Sequence, residues 1–225
     1  MPAGLDDIMQ RASDALAHMD YLACEALCLE ALHEARRRGD WPYYARILLP
    51  LQEARRQKRM IAAEGAIRLG TADLARPEPA WLASMPAGGC VLLSPPHTPD
   101  DAIALAQAAN EKRMCIELLL AERAGDAQTW TLRSFQGPLV RCDVPAPPHE
   151  WRERWLDPAA ARRGDVTVAD WFLDAAESLG DVALAKVDLA LPPAERLARL
   201  EAMLPVVQDH ELLHQRLGDA ARAMR

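Results

Sequence analysis

From Leu5 to about Leu69 the apolar positions recur at three- and four-residue steps, the period of an amphipathic helix, with breaks only at Asp20 and at Gly39-Asp40-Trp41-Pro42. The pattern predicts helices over about 5–18, 21–38 and 42–68, the last with a break near Lys58. In the second, Tyr21, Cys24, Leu27, Cys28, Ala31, Leu32 and Ala35 line one stripe. Its Ala and Cys members are small, so a neighbouring helix can approach closely.

The period then changes. ARPEPAWLASMPAGG, rich in Pro, Gly and Ala, reads as a linker or long loop. Short apolar or alternating runs after it predict strands over about 90–94, 114–121, 128–135 and 139–144, with an Ala-rich helix over about 100–110 between the first two. That order is β-α-β-β-β, one helix crossing a small mixed sheet. Helical spacing returns over about 149–156, 166–185, 193–204 and 209–224, punctuated by Gly164, the Pro192-Pro193 pair and Pro205. The expected fold class is α+β and mainly helical. The expected parts are residues 1–76 (helical), 77–148 (the α/β module) and 149–225 (helical), with strands confined to the segment from Cys90 to Val144.

Half of the 225 residues are hydrophobic, ample for a core. No run approaches the roughly 20 uncharged apolar residues of a membrane span, and the first residues lack a basic segment followed by an apolar one. A cytoplasmic protein without membrane contact is the expectation. The net charge of −7 argues against a general affinity for nucleic acid. Lys58, Lys112 and Lys186 are the only lysines among 26 basic residues, a bias that points to a GC-rich, bacterial genome rather than to guanidinium chemistry. Five cysteines, odd in number and set in apolar runs, suit buried thiols better than disulfides.

The stretch DYLACEALCLEALHEARRRGDWPYYARILLPLQEARR resembles a tetratricopeptide-type (TPR) helical repeat. An aromatic, Tyr21, opens a helix; small residues Cys24, Cys28 and Ala31 follow at fixed steps; Gly39-Asp40-Trp41 opens the next unit. The resemblance covers about 65 residues and implies a helical surface that receives a protein partner.

Candidate chemistry gathers in four places. The first is a pair of Pro-Pro-His loops, SPPHTPDD and APPHEWRE, each after a predicted strand and before a predicted helix. Thr98 is placed as an N-cap, Pro99 at the first helical position and Asp101 three beyond the cap, so every residue of the first loop but His97 has a structural job. His97 and His149 are then either punctuation or two loop ligands. The second is HELLH, residues 210–214. Two imidazoles one helical turn apart can bind one metal ion while Glu211 acts as general base on a bound water, as in the zincins that the motif resembles. His210 and His214 would be the zinc ligands and His97 or His149 a third, since only eleven residues follow His214 and none is His or Glu. The packing alternative puts His210 on a stripe with Leu213, Leu217, Ala220 and Met224.

The third is Cys24 with Cys28, one turn apart on the apolar stripe and read as buried small hydrophobes. The fourth is a basic set, Arg36, Arg37, Arg38, Arg46, Arg55, Arg56, Lys58 and Arg59, opposed between residues 36 and 59 only by Asp40 and Glu53. It offers a surface for an acidic partner, with Trp41 and Tyr44 beside it, or is a solvated helix face. No phosphate-cradling loop, dinucleotide fingerprint, nucleophile elbow or kinase signature occurs. The sequence therefore favours a non-enzymatic interaction protein that uses its TPR-like helices on a protein partner and needs no cofactor. A zinc-dependent hydrolase centred on HELLH is the first alternative, and a binder of an acidic partner or nucleic acid through the basic set is the second.

Overall fold

The N-terminal helices begin and end where side chains satisfy the backbone groups that a helix leaves over. In a computed structural model, which describes residues 4–69, 88–123, 128–148, 152–157 and 162–224, α1 spans Leu5–Ala17, α2 Tyr21–Arg38 and α3 Trp41–Glu64. Asp20 opens α2 by accepting from the Ala23 amide at 3.1 Å, and Asp40 opens α3 by accepting from the Tyr43 amide at 3.1 Å. Gly39, at φ 70°, takes the left-handed turn that closes α2. The helix expected to break near Lys58 and to reach residue 68 does neither. It runs through Gln57-Lys58-Arg59-Met60, all tolerable helix formers, and stops at Gly65. A Cβ at Gly65 would lie 2.1 Å from the carbonyl oxygen of Gly88, so only glycine lets two backbones meet there.

Beyond Gly65 the chain extends into a strand, β1 (Ala66–Leu69). Then come β2 (Gly88–Leu93), α4 (Pro99–Glu111), β3 (Cys115–Arg123), β4 (Thr129–Arg133), β5 (Arg141–Pro145) and β6 (Arg152–Leu156). A two-residue pair, β7 (Arg162–Arg163) and β8 (Val166–Thr167), leads into α5 (Val168–Ala185), α6 (Pro193–Met203) and α7 (Glu211–Arg222). The chain is α+β and mainly helical. It divides into two compact units, one made of Met1–Lys58 with Leu184–Arg225 and the other of Arg59–Ala183.

In the helical unit α1 packs on α2 and α6 on α7. Its core holds Ile8, Ala12, Cys24, Cys28, Ala31, Ile47, Leu51, Leu200, Leu213 and Leu217, all almost fully buried. Polar links join the two ends of the chain within this unit. Arg36 pairs with Glu201, and the Tyr44 hydroxyl donates to the same carboxylate at 2.8 Å.

The sheet unit carries six strands in the order β5-β4-β3-β2-β1-β6. β2 is parallel to β1 and to β3; β4, β5 and β6 join antiparallel. The expected β-α-β-β-β core is present as β2-α4-β3-β4-β5, and β1, β6 and the short pair β7–β8 lie outside the segment to which strands were expected to be confined. Ala-Ile-Arg-Leu comes after a long helical pattern and is too short to show a period of its own, yet its burial alternates as a half-covered strand requires. Residues 152–156, expected to be helical, pair instead with β1, Leu156 opposite Ile67; such non-local pairing overrides local propensity. The expected linker falls largely on residues outside the description, and its last two, Gly88 and Gly89, open β2. Residues 149–151 also lie outside it.

One face of the central strands, Val91, Leu93, Leu118 and Leu120, packs on Ala102, Leu105 and Ala109 of α4. Residues of the other face, including Cys90, Leu92, Leu119, Trp130, Leu132 and Val144, are also buried. α5 meets the end of β5, the Trp171 indole N–H donating to the Pro145 carbonyl at 2.8 Å.

Candidate functional site

The first Pro-Pro-His loop adopts the predicted cap. The Thr98 amide and hydroxyl both donate to Asp101 Oδ2, at 2.8 and 2.9 Å, and the Asp101 amide donates back to Thr98 Oγ1 at 3.3 Å. His97, the residue that lacked a job, is buried, and its amide donates to the Ser94 carbonyl at 2.9 Å. Burial pushes its imidazole below the usual histidine range, opposed by the nearby Asp101 carboxylate. His149 lies outside the described residues. The same Thr-x-x-Asp box opens α5: the Thr167 hydroxyl donates to Asp170 Oδ2 at 2.7 Å and the Asp170 amide to Thr167 Oγ1 at 3.0 Å. The break at Gly164 predicts this helix start near residue 166, but it does not single out the Thr-x-x-Asp spacing that caps it.

HELLH folds differently from a zincin helix. The expected helix from about 209 starts at Glu211, and His210, at φ −57° and ψ 115°, is its N-cap. His210 Nδ1 accepts from the Leu213 amide at 3.2 Å, so the ring is turned back on the helix start. Glu211 faces solvent and accepts from Gln215 Nε2 at 2.9 Å. His214 is buried and hydrogen-bonds through Nδ1 to the His210 carbonyl at 2.9 Å; Nδ1 therefore carries the proton and Nε2 the lone pair. No hydrogen-bond partner meets that Nε2 among the described residues. Burial drives the His214 pKa down to about 4, opposed by the hydrogen bond to the His210 carbonyl and reinforced by the charge of Arg55. The buried pair of imidazoles and the solvent-facing Glu211 do not form the zincin set, in which the carboxylate faces the water held between the two ligands. His97 belongs to the sheet unit, His210 and His214 to the helical unit.

The basic set is threaded with carboxylates. Arg37 and Arg38 both hold Glu34, at 2.7 and 2.6 Å, and keep its carboxyl down at about 2. Arg56 stands 3.8 Å from Glu53. Arg55 is buried, 2.7 Å from Glu25 and donating to the Gln208 carbonyl at 2.9 Å; Lys58 pairs with the other oxygen of Glu25. Burial alone would raise the Glu25 carboxyl, but Arg55 and Lys58 outweigh it and hold the group below its ordinary range. Arg59, in the sheet unit, lies 3.7 Å from both Glu117 and Glu177. Tyr44 is buried, which pushes its phenol up to about 12, and its ring sits 6.0 Å from that of Trp41. The residues read as one cationic surface thus split between interior ties and neutralised pairs, except exposed Arg46, which lies over the Tyr43 ring at 5.2 Å. The partners Glu25, Glu34, Glu117, Glu177 and Glu201 come from other helices or strands or from the preceding turn, where a count over residues 36–59 does not reach.

All five cysteines are buried free thiols. Cys24 and Cys28 share a hydrogen bond, and that bond together with burial pushes the Cys28 thiol up, away from the reactive thiolate.

A concavity that the sequence did not disclose lies in the sheet unit, bounded by the end of β5, by Pro148, by β7 and β8, and by one face of α5, with a volume of about 220 Å³. Its residues come from three stretches joined only by folding, and no spacing rule links them.

No helix among the described residues is long and apolar enough to cross a membrane. Compared with known proteins, the chain matches no family model, no curated protein and no solved structure.

Proposed function

We propose that this chain is a non-enzymatic interaction protein whose helical unit receives a partner on the outer face of α3. The observation that carries the reading is Leu49, 74% exposed in the middle of an otherwise well-packed helix. Arg46, Leu49, Glu53 and Arg56 succeed one another at three- and four-residue steps, so the apolar knob stands between the Arg46 guanidinium and the Glu53–Arg56 pair on one stripe. A partner helix or strand with an apolar residue and an acidic neighbour on the Arg46 side fits that stripe. The TPR-like reading is supported by Cys24, Cys28 and Ala31, which are completely buried along α2 as the small positions of such a repeat should be. His210 caps a helix, His214 Nδ1 bonds the His210 carbonyl and Glu211 bonds Gln215, an arrangement that favours this reading over a hydrolase.

The test is Leu49→Asp in the full chain. An exposed position tolerates the change within about 0.5 kcal/mol of stability, so capture of specific partners should be lost while the melting temperature holds. Partner recovery equal to the parent's would contradict the proposed face.

A further inference from the structure

The 220 Å³ slot of the sheet unit is independent of the α3 face, and its chemistry is distinctive. Val144, Pro148, Val166, Trp171 and Ala175 give it apolar walls. Trp171 has already committed its only donor to the Pro145 carbonyl, so the indole offers an occupant ring surface and no hydrogen bond. A dry cavity of about 150 Å³ holds a benzene ring. A slot of 220 Å³ therefore has room for one ring with a methylene, or for a branched aliphatic side chain.

Two further lining residues are charged, exposed and opposite in sign: Arg163 on β7 and Asp174 on α5. Neither has an ion-pair partner among the described residues. A purely apolar occupant would use neither charge, and an anion or a cation would use one and face repulsion from the other. An internal residue of a peptide carries no charge on its backbone. A free α-amino acid carries both, beside a side chain that the apolar walls can enclose. We infer that the slot binds a free amino acid with a large apolar side chain, the carboxylate facing Arg163 and the ammonium facing Asp174.

Calorimetric titration of the full chain with L-phenylalanine tests this. Saturable one-to-one binding is expected, weakened roughly tenfold or more for 3-phenylpropanoate, which lacks the ammonium, and for phenethylamine, which lacks the carboxylate. L-alanine, without the ring, should bind least. Arg163→Gln and Asp174→Asn alter exposed side chains and should melt as the parent does while each loses roughly tenfold in affinity for L-phenylalanine. Absence of saturable binding to L-phenylalanine and L-leucine up to about 10 mM overturns the proposal. So does equal binding of the amino acid and its one-charge analogues, or parental affinity in both variants.

Discussion

Arg55 of α3 and Glu25 of α2 form a buried ion pair at 2.7 Å, and the same guanidinium reaches the backbone carbonyl of Gln208, so one side chain ties the N-terminal helices to the C-terminal segment of the helical unit. Removing Glu25 leaves the Arg55 guanidinium with little water to solvate it, and removing Arg55 leaves the Glu25 carboxylate with Lys58 alone. Glu25→Gln or Arg55→Met alone should each cost about 3–5 kcal/mol in urea unfolding. The double change Glu25→Leu with Arg55→Met should cost far less than the sum, since Lys58 is exposed enough to turn to solvent. Additive losses would mean that the pair does not act as a unit.

His214 supplies a pH dependence with a definite sign. Its folded pKa of about 4 lies below the ordinary 6.5, so the unfolded chain binds the proton more tightly. The contribution is complete above about pH 6.5 and drains away as the pH falls toward 4, a loss of about 3 kcal/mol over the window. Glu25, also depressed, adds to the loss at the acid end. His214→Gln, which cannot titrate, should flatten stability between pH 6.5 and 5. An unchanged slope in that variant would assign the effect elsewhere.

Two Thr-x-x-Asp boxes start helices, and each should behave as a cap. Thr98→Ala and Thr167→Ala should each cost about 1 kcal/mol. His97→Ala should also cost stability, because the ring is buried rather than set in an exposed loop. Restoration of Thr98→Ala by Thr98→Ser, but not by Thr98→Val, would identify the hydroxyl as the working group.

The helix boundaries at Asp20, Gly39 and Thr98 were legible because capping is local: the side chain that ends or starts a helix lies within three residues of the groups it satisfies. β1 and β6 were not legible. Each is a strand only through its pairing, β1 beside β2 and β6 beside β1, and neither carries a period long enough to announce itself. The local geometry of HELLH was not legible for a related reason. The spacing of His210 and His214 is visible in the sequence, but the φ and ψ that put His210 at the cap are set by the turn before it.

That cap makes a prediction about metal. Protein purified without an affinity tag should hold less than about a tenth of an equivalent of zinc by elemental analysis, before and after incubation with zinc and dialysis. His210→Ala should lose about 1 kcal/mol of stability as a cap does. A stoichiometric ion lost in His210→Ala and in His214→Ala would raise the hydrolase reading above the interaction reading.

A photo-crosslinking residue at position 49, in cells that express the full chain, measures the partner face directly. A control at Ser13, exposed on α1, reports background. The account predicts one or a few discrete adducts at position 49 that are absent at position 13 and that disappear when Arg46 and Arg56 are both replaced by Glu. The same adducts at both positions, or none at 49, would contradict it.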